Sequence, residues 1–276
     1  PGTPIEIVLR YEGDPESEQT VFKGLIVRHS IEATIRGSYL KLTARDAAIK
    51  MTSQRKQAVY LEISDNALFT QLIEDSGLEA GEFATTEPEH PELVQYWCSD
   101  WDFLLTRTDF QGFWVICEDG VIKILNPEEI DTSSASYSYE YGMDEIFGLR
   151  LNADAQFQYG TVSASRWNIA DQVLELGSDA NGYNTNTGDL DPSELATALG
   201  GESLSLNSTV PIPVEELDNW AKGKLRKSRD SMIRGYLSVR GRGEIKIGEI
   251  IELNGMSTHF NGTSIISGVR HRLSAA

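Results

Sequence analysis

Cysteine is scarce in this chain. Only Cys98 and Cys117 occur in 276 residues, and they form no Cys-x-x-Cys pair. Both lie in apolar stretches, where a lone cysteine behaves as a small buried hydrophobe, so no disulfide framework is implied and the chain suits a reducing compartment. Histidine is nearly as rare. His29, His90, His259 and His271 make neither an HxxxH nor an HExxH spacing, and no cysteine stands near enough to complete a zinc motif. No GxSxG elbow is present to carry a nucleophilic serine. Gly241-Arg242-Gly243 lacks the GxxxxGK continuation of a phosphate loop. No apolar run reaches the length that spans a bilayer, and no signal peptide opens the chain.

Positive charge is the other shortage. Against 42 acidic residues stand 24 Lys and Arg, a net charge of -18 that repels nucleic-acid backbones and favours solubility. The distribution is uneven. Glu74 to Glu92 holds seven acidic residues and no Lys or Arg, whereas nine of the basic residues fall between Lys222 and Lys246. The basic stretch lacks the interleaved aromatics of a nucleic-acid site beyond Tyr236. It reads as a solvated face or as a contact for an acidic neighbouring subunit.

What is abundant is two-residue alternation. Ile5, Ile7, Leu9 and Tyr11 oppose Glu6 and Arg10. After the acidic turn Glu12 to Glu18, a long run sets Leu25, Val27, His29, Ile31, Ala33 and Ile35 against Arg28, Ser30, Glu32, Thr34 and Arg36. These are half-buried antiparallel strands, with His29 on the apolar side as a structural histidine. From Asp46 the period changes. Asp46 to Thr52 predicts a short helix and Val59, Leu61 and Ile63 a strand. Ser64 or Asp65 caps a helix carrying Leu68, Leu72 and Ile73, with Gly77 as its stop. A polar stretch, Glu79 to Glu92, precedes a strand Leu93 to Trp97. Ser99 and Asp102 then have the spacing of a shortened capping box, Gly112 ends that helix, and Asp119-Gly120 predicts a hairpin. The unit should pack around Leu68, Leu72, Trp101, Leu104 and Val115.

Strands return from Ile130, interrupted by a polar loop from Gly177 to Asp191. Asp191-Pro192-Ser193-Glu194 starts a helix that Gly200-Gly201 stops. The longest helix is expected over Val214 to Met232, with a narrow buried stripe of Leu217, Ala221, Leu225, Ser228 and Met232, its basic residues off the stripe and Gly235 as its end. Closing strands turn at Gly248, Asn254-Gly255 and Asn261-Gly262. The chain opens at Pro1 inside a strand-like segment and is expected to be a piece of something longer.

Four stretches carry a family resemblance. Val21-Phe22-Lys23-Gly24-Leu25-Ile26 is similar to an "LFxGxI" turn. Gln95-Tyr96-Trp97-Cys98-Ser99-Asp100-Trp101-Asp102-Phe103-Leu104 is similar to a "QYxxSDWDFL" helix entry. Ser165-Arg166-Trp167-Asn168 matches an "RGWD" segment, and Gly248 through Phe260-Asn261-Gly262 to Val269-Arg270-His271 matches a closing "PGxxIxLxGxxxxFNGxYxVxxVxH". Spread in order over the chain, they resemble the phage baseplate hub, VgrG and late control D family of contractile injection systems. The resemblance implies a mainly β (α+β) fold of two tube-protein-like antiparallel β-barrels with an inserted small α+β domain. Residues 1–45 and 128–160 would form the first barrel, without its opening strands. Residues 46–127 would be the insertion and 161–276 the second barrel, closed at His271. The oligonucleotide-binding-type domain and β-helical spike that often follow are not in this sequence.

The function so implied is a structural adaptor between a hexameric inner tube and a trimeric spike, in a phage tail or other contractile injection system. As a homotrimer it would contact inner tube protein, a spike or spike-tip protein and other baseplate proteins, with no nucleic acid and no membrane in the resting state. It would assemble in the bacterial cytoplasm into a particle that is released or fired. No catalytic residue, metal ligand or cofactor is expected. The alternatives are a peptidoglycan hydrolase using Asp100/Asp102 or Glu128/Glu129, and a monomeric carbohydrate- or receptor-binding β-protein. Asp100 and Asp102 sit at a helix start, where carboxylates stabilise the backbone dipole in any case. Trp97, Trp101, Phe103 and Trp114, flanking strand and helix starts, read as core.

Overall fold

A computed structural model describes residues 1–11, 13–185, 187–210 and 212–273. Glu12 of the acidic turn and residues 274–276 of the closing region lie outside them. The first three strands, β1 (Pro4–Leu9), β2 (Gln19–Thr34) and β3 (Gly37–Arg45), form an antiparallel sheet in the order β1-β2-β3. β1 pairs only with the first part of β2, so beyond Leu25 the sheet narrows to a two-stranded ribbon. Gly24 does not turn the chain; it lies inside β2, where a Cβ would sit 2.2 Å from the Arg45 carbonyl oxygen. The expected turn glycine is therefore a close-approach glycine.

A 3-10 turn, Ala47–Thr52, leads into β4 (Arg55–Ser64), α1 (Asp65–Asp75), β5 (Glu79–Phe83), β6 (Glu89–Ser99), α2 (Asp100–Gln111), β7 (Trp114–Glu118) and β8 (Val121–Leu125). The caps follow the sequence. Ser64 Oγ accepts from the Ala67 amide, Ser99 Oγ accepts from the Asp102 amide, and Gly112 ends α2 at φ 71°. Asp119 and Gly120, at φ 56° and 85°, make the tight hairpin. β5, inside the stretch read as polar connection, pairs parallel with β8. Leu68, Leu72 and Leu104 are fully buried in one hydrophobic cluster drawn from residues 48 to 124. Trp101 and Val115 are half-buried against it.

Beyond the 3-10 turn Pro127–Glu129 come β9 (Tyr137–Glu140), β10 (Ile146–Ala153), β11 (Thr161–Asn168), β12 (Val173–Leu176), α3 (Pro192–Ala198), β13 (Ser203–Ser208), α4 (Val214–Asp230), β14 (Ile233–Val239), β15 (Ile250–Asn254) and β16 (Gly262–Ile265). β11 is central to β12-β11-β13, and β15 to β16-β15-β9. The second cluster gathers Val162, Ala164 and Ala180 under Leu217, Ala221 and Leu225 of α4.

The fold is mainly β with α elements, but several expectations are corrected. Among the described residues the strands form sheets of two or three, and no barrel closes. The ladders β5–β8, β9–β15 and β11–β13 are parallel. β9 and β10, expected beside β1–β3, hydrogen-bond instead to β15 and β14. α4 ends at Asp230 and not at Gly235, which lies within β14 against the Arg150 carbonyl oxygen. Residues 267–273, which include His271, form no strand: pairing stops once Ile266 has bonded to Gly248 and Glu249.

Candidate functional site

Several sheet surfaces stay uncovered, among them the β11–β12 pair with exposed Trp167, Leu174 and Leu176, and two lie in the first hundred residues. In the β2–β3 ribbon, Ile31 pairs across from Leu40 and His29 from Leu42, on one face. Ile31 and Leu40 are 75% and 63% exposed. Ile35, in the two-residue turn at the tip beside Arg36, is fully exposed. A slip in register between Ile26 and Arg28 reorients the alternation before it reaches the ribbon. His29, expected as a structural histidine on the apolar side, is exposed because no described residue packs on this face.

The second surface belongs to the β4–β6 pair. Its inner face presents Tyr60, Ile63 and Leu93 to α1 and α2. Its outer face sets Val59 opposite Val94, Gln57 opposite Tyr96 and Leu61 opposite Glu92. Leu61 and Tyr96 are 67% and 75% exposed. Trp97, expected in the core, is exposed at φ 51° beside this face. Uncovered apolar surfaces of this kind are sites for contact with a protein, a membrane or a ligand.

Buried charge collects where α1, β6, α2 and α4 meet. Arg107 places Nε and Nη2 at 2.8 and 2.9 Å from the two oxygens of Asp65, and Nη2 at 2.5 Å from Glu216 Oε1. Gln111 Nε2 donates to Asp65 at 2.7 Å. His90 is enclosed with them, its Nε2 3.0 Å from Arg107 Nη2 and its Nδ1 3.7 Å from Glu216 Oε2. The same Nε2 lies 3.4 Å from Asp65 Oδ2, so the ring stands between both carboxylates. Burial works to raise the Asp65 pKa, but bonds from His90 and Arg107 outweigh it and hold the group at about 2. Among the described residues no group of His, Cys, Asp or Glu is arranged to hold a metal ion.

The α2–α4 contact is equally close. A Cβ on Gly223 would meet the Gly112 nitrogen at 2.7 Å. Arg226, buried, reaches the carbonyls of Gln111 and Gly112 at 3.4 and 3.3 Å and pairs with Glu128 at 2.7 Å. These are the last carbonyls of α2, where a cation opposes the helix dipole. Arg229 is buried too, bonded to the Tyr183 carbonyl and Gln158. The basic stretch is thus no single outward patch: Lys227 pairs with Asp109, Lys246 with Glu118, and Arg240 lies over the Tyr11 ring.

The other sequence candidates are separated. Asp100 is buried against Lys56 at 2.6 Å and Gln95 at 3.0 Å, while Asp102 accepts from Ser99 Oγ at 2.7 Å. Glu129 accepts from Asn126, away from the Glu128–Arg226 pair. Burial pushes the Cys98 thiol up and that of Cys117 up to about 12. His259 contacts Asp189 at an exposed loop. Two open concavities, about 210 and 120 Å³, line the loop 184–192 and the end of β8; both fall below the usual ligand-pocket range of about 300–1,000 Å³. No helix is long and apolar enough to cross a membrane among the described residues.

The fold has solved relatives. The 43 kDa tail protein of prophage MuSo2 from Shewanella oneidensis superposes with a TM-score of 0.64 at 9% identity, over 95% of this chain and 82% of its own. A tail protein from Neisseria meningitidis MC58 gives 0.63 at 13%, over 94% and 79%. Prophage tail protein gp18 from Listeria monocytogenes EGD-e gives 0.53 at 10%, over 95% and 78%. At such identities the likeness is one of fold. No curated protein sequence matches the chain. The sequence does match a described family from residue 1 to 275, and the chain belongs to that family, the Alg8 N-terminal domain.

Proposed function

We propose that this chain is a structural baseplate hub, adapting a hexameric inner tube to a trimeric spike in a phage tail or contractile injection system, and that it catalyses nothing. The carrying observation is the uncovered apolar sheet surface on a fold shared with phage tail proteins. In this reading residues 46–127 are the inserted unit, and strands on either side build two tube-like units that complete themselves only against neighbouring chains. Three chains then offer six such units to the tube, which answers the mismatch between six-fold and three-fold symmetry. Its partners are two further copies, inner tube protein, a spike or spike-tip protein and other baseplate proteins, in a tail-like particle built in the cytoplasm.

Cryo-electron microscopy of the hub assembled with tube and spike tests this. A trimer at the tube–spike junction is expected; a monomer, dimer or hexamer there sinks the proposal. Purified chain should release no fragments from peptidoglycan. Release by the wild type that is abolished in Asp100→Asn or Asp102→Asn would support the hydrolase instead.

A further inference from the structure

Of the uncovered surfaces, the β2–β3 ribbon and the outer face of β4–β6 match each other. Along the ribbon's apolar face the order is His29/Leu42, Ile31/Leu40, Ala33/Ser38, then Arg36 at the tip. Along the outer face of β4–β6 the order is Tyr96/Gln57, Val94/Val59, Glu92/Leu61, then exposed Glu89 and Glu62 at the end. Each series therefore runs from a ring, through a pair of aliphatic residues, to charge at one end. The charges are opposite: a lone cation on one tip, three carboxylates on the other end. Both series advance by two residues per step, about 6.6 Å at strand rise, so they stay in phase over their whole length. The chain's own ribbon does not cover its own β4–β6 face, since both are exposed.

We propose that the β2–β3 ribbon of one copy lies face down on the β4–β6 pair of a second copy, with Ile31 and Leu40 over Val94 and Val59 and Arg36 among Glu62, Glu89 and Glu92. The occupant is a second copy because charge and apolar pattern agree on both sides. Sheet faces stack in this manner about 10 Å apart. The contact is heterologous: each chain gives a ribbon and receives one, and three-fold rotation between copies makes it a closed ring. It deepens the homotrimer reading and depends on that reading for ring size alone.

Two chains carrying Ile31→Cys and Val94→Cys separately, each with Cys98 and Cys117 replaced by serine, are mixed, assembled with spike and treated with a short bis-maleimide. The positions given cysteine are exposed, and circular dichroism and melting confirm folding. A 31–94 link between chains is expected, with neither variant linking to itself. Ile31→Asp/Leu40→Asp and Val94→Asp/Tyr96→Asp should each abolish self-association, and their mixture should stop at a one-to-one dimer, since one intact ribbon–face pair remains. Arg36→Glu should weaken linking by up to roughly five-fold, the scale of an exposed ion pair, and Glu92→Lys in the partner should recover it. Trimers without the 31–94 link, or a ribbon variant that trimerises like the wild type, overturn this contact and leave the hub standing. The link within a dimer or hexamer overturns the trimer and leaves the contact standing.

Discussion

Arg107 is the cation in a buried group that also holds Asp65, Glu216 and His90. Arg107→Ala would strand two enclosed carboxylates, and removing one partner of a buried pair costs about 3–5 kcal/mol. Denaturant unfolding at pH 7 should show a loss of that size; a loss under about 1 kcal/mol would mean water already reaches the group. Asp65 sets the acid limb. Its folded pKa, about 2, lies below the ordinary 3.8, so its contribution is complete above 3.8 and is lost as pH falls from there towards 2. Asp65→Asn should flatten stability over that window. Asp230 has the opposite sign. Burial raises it to about 6 against the bond from Tyr183, so its neutral form favours the fold below 3.8 and that support is lost as pH rises through 6. The stability of Asp230→Asn relative to wild type should therefore climb from pH 4 to 6 and then level off. None of this was legible in the sequence. The cluster draws on positions 65, 90, 107 and 216, and only tertiary packing brings them together.

Helix α4 shows what local pattern reveals and where it stops. Its apolar stripe, Leu217, Ala221 and Leu225, is buried as the 3.6-residue period requires. Yet Glu216, Arg226 and Arg229 are buried as well, since α4 is wedged between β11 and α2 and covered on more than one side. Glycine was read with the same bias. Gly77, Gly112 and Gly120 do end or turn elements at positive φ, but Gly24, Gly223 and Gly235 are there because another backbone passes within reach of a Cβ. That information sits in a strand or helix remote in sequence. Strand β5 was missed for a related reason: its partner is the parallel strand β8, about forty residues on. Caps and the Asp119-Gly120 hairpin were legible because their chemistry is complete within four residues. Gly223→Ala should force α2 and α4 apart and cost about 1–3 kcal/mol, the range for overpacking. Exposed Lys224→Ala should change stability by less than about 0.5 kcal/mol. If thermal melts show the two substitutions to be equal, the helices have slack that this packing denies.

At the scale of the molecule, a strongly acidic chain exposes apolar sheet, and the two properties act against each other. A net charge of -18 makes copies repel over a distance set by salt. The screening length falls from about 30 Å at 0.01 M to about 8 Å at 0.15 M ionic strength. Apolar burial is indifferent to screening, and an exposed ion pair such as the proposed Arg36 contact has at most about 1 kcal/mol to lose. Self-association of the purified chain should therefore strengthen as salt rises through this range, and sulfate should strengthen it further by favouring apolar burial. Sedimentation equilibrium at 0.01, 0.05 and 0.15 M ionic strength checks the sign. Contact dominated by complementary charge predicts the reverse, tightest at low salt and loosening with each step. That outcome would remove the uncovered sheet faces from the account of assembly and return the weight to the basic residues between Lys222 and Lys246, five of which already bond within the chain: Arg226, Lys227, Arg229, Arg242 and Lys246.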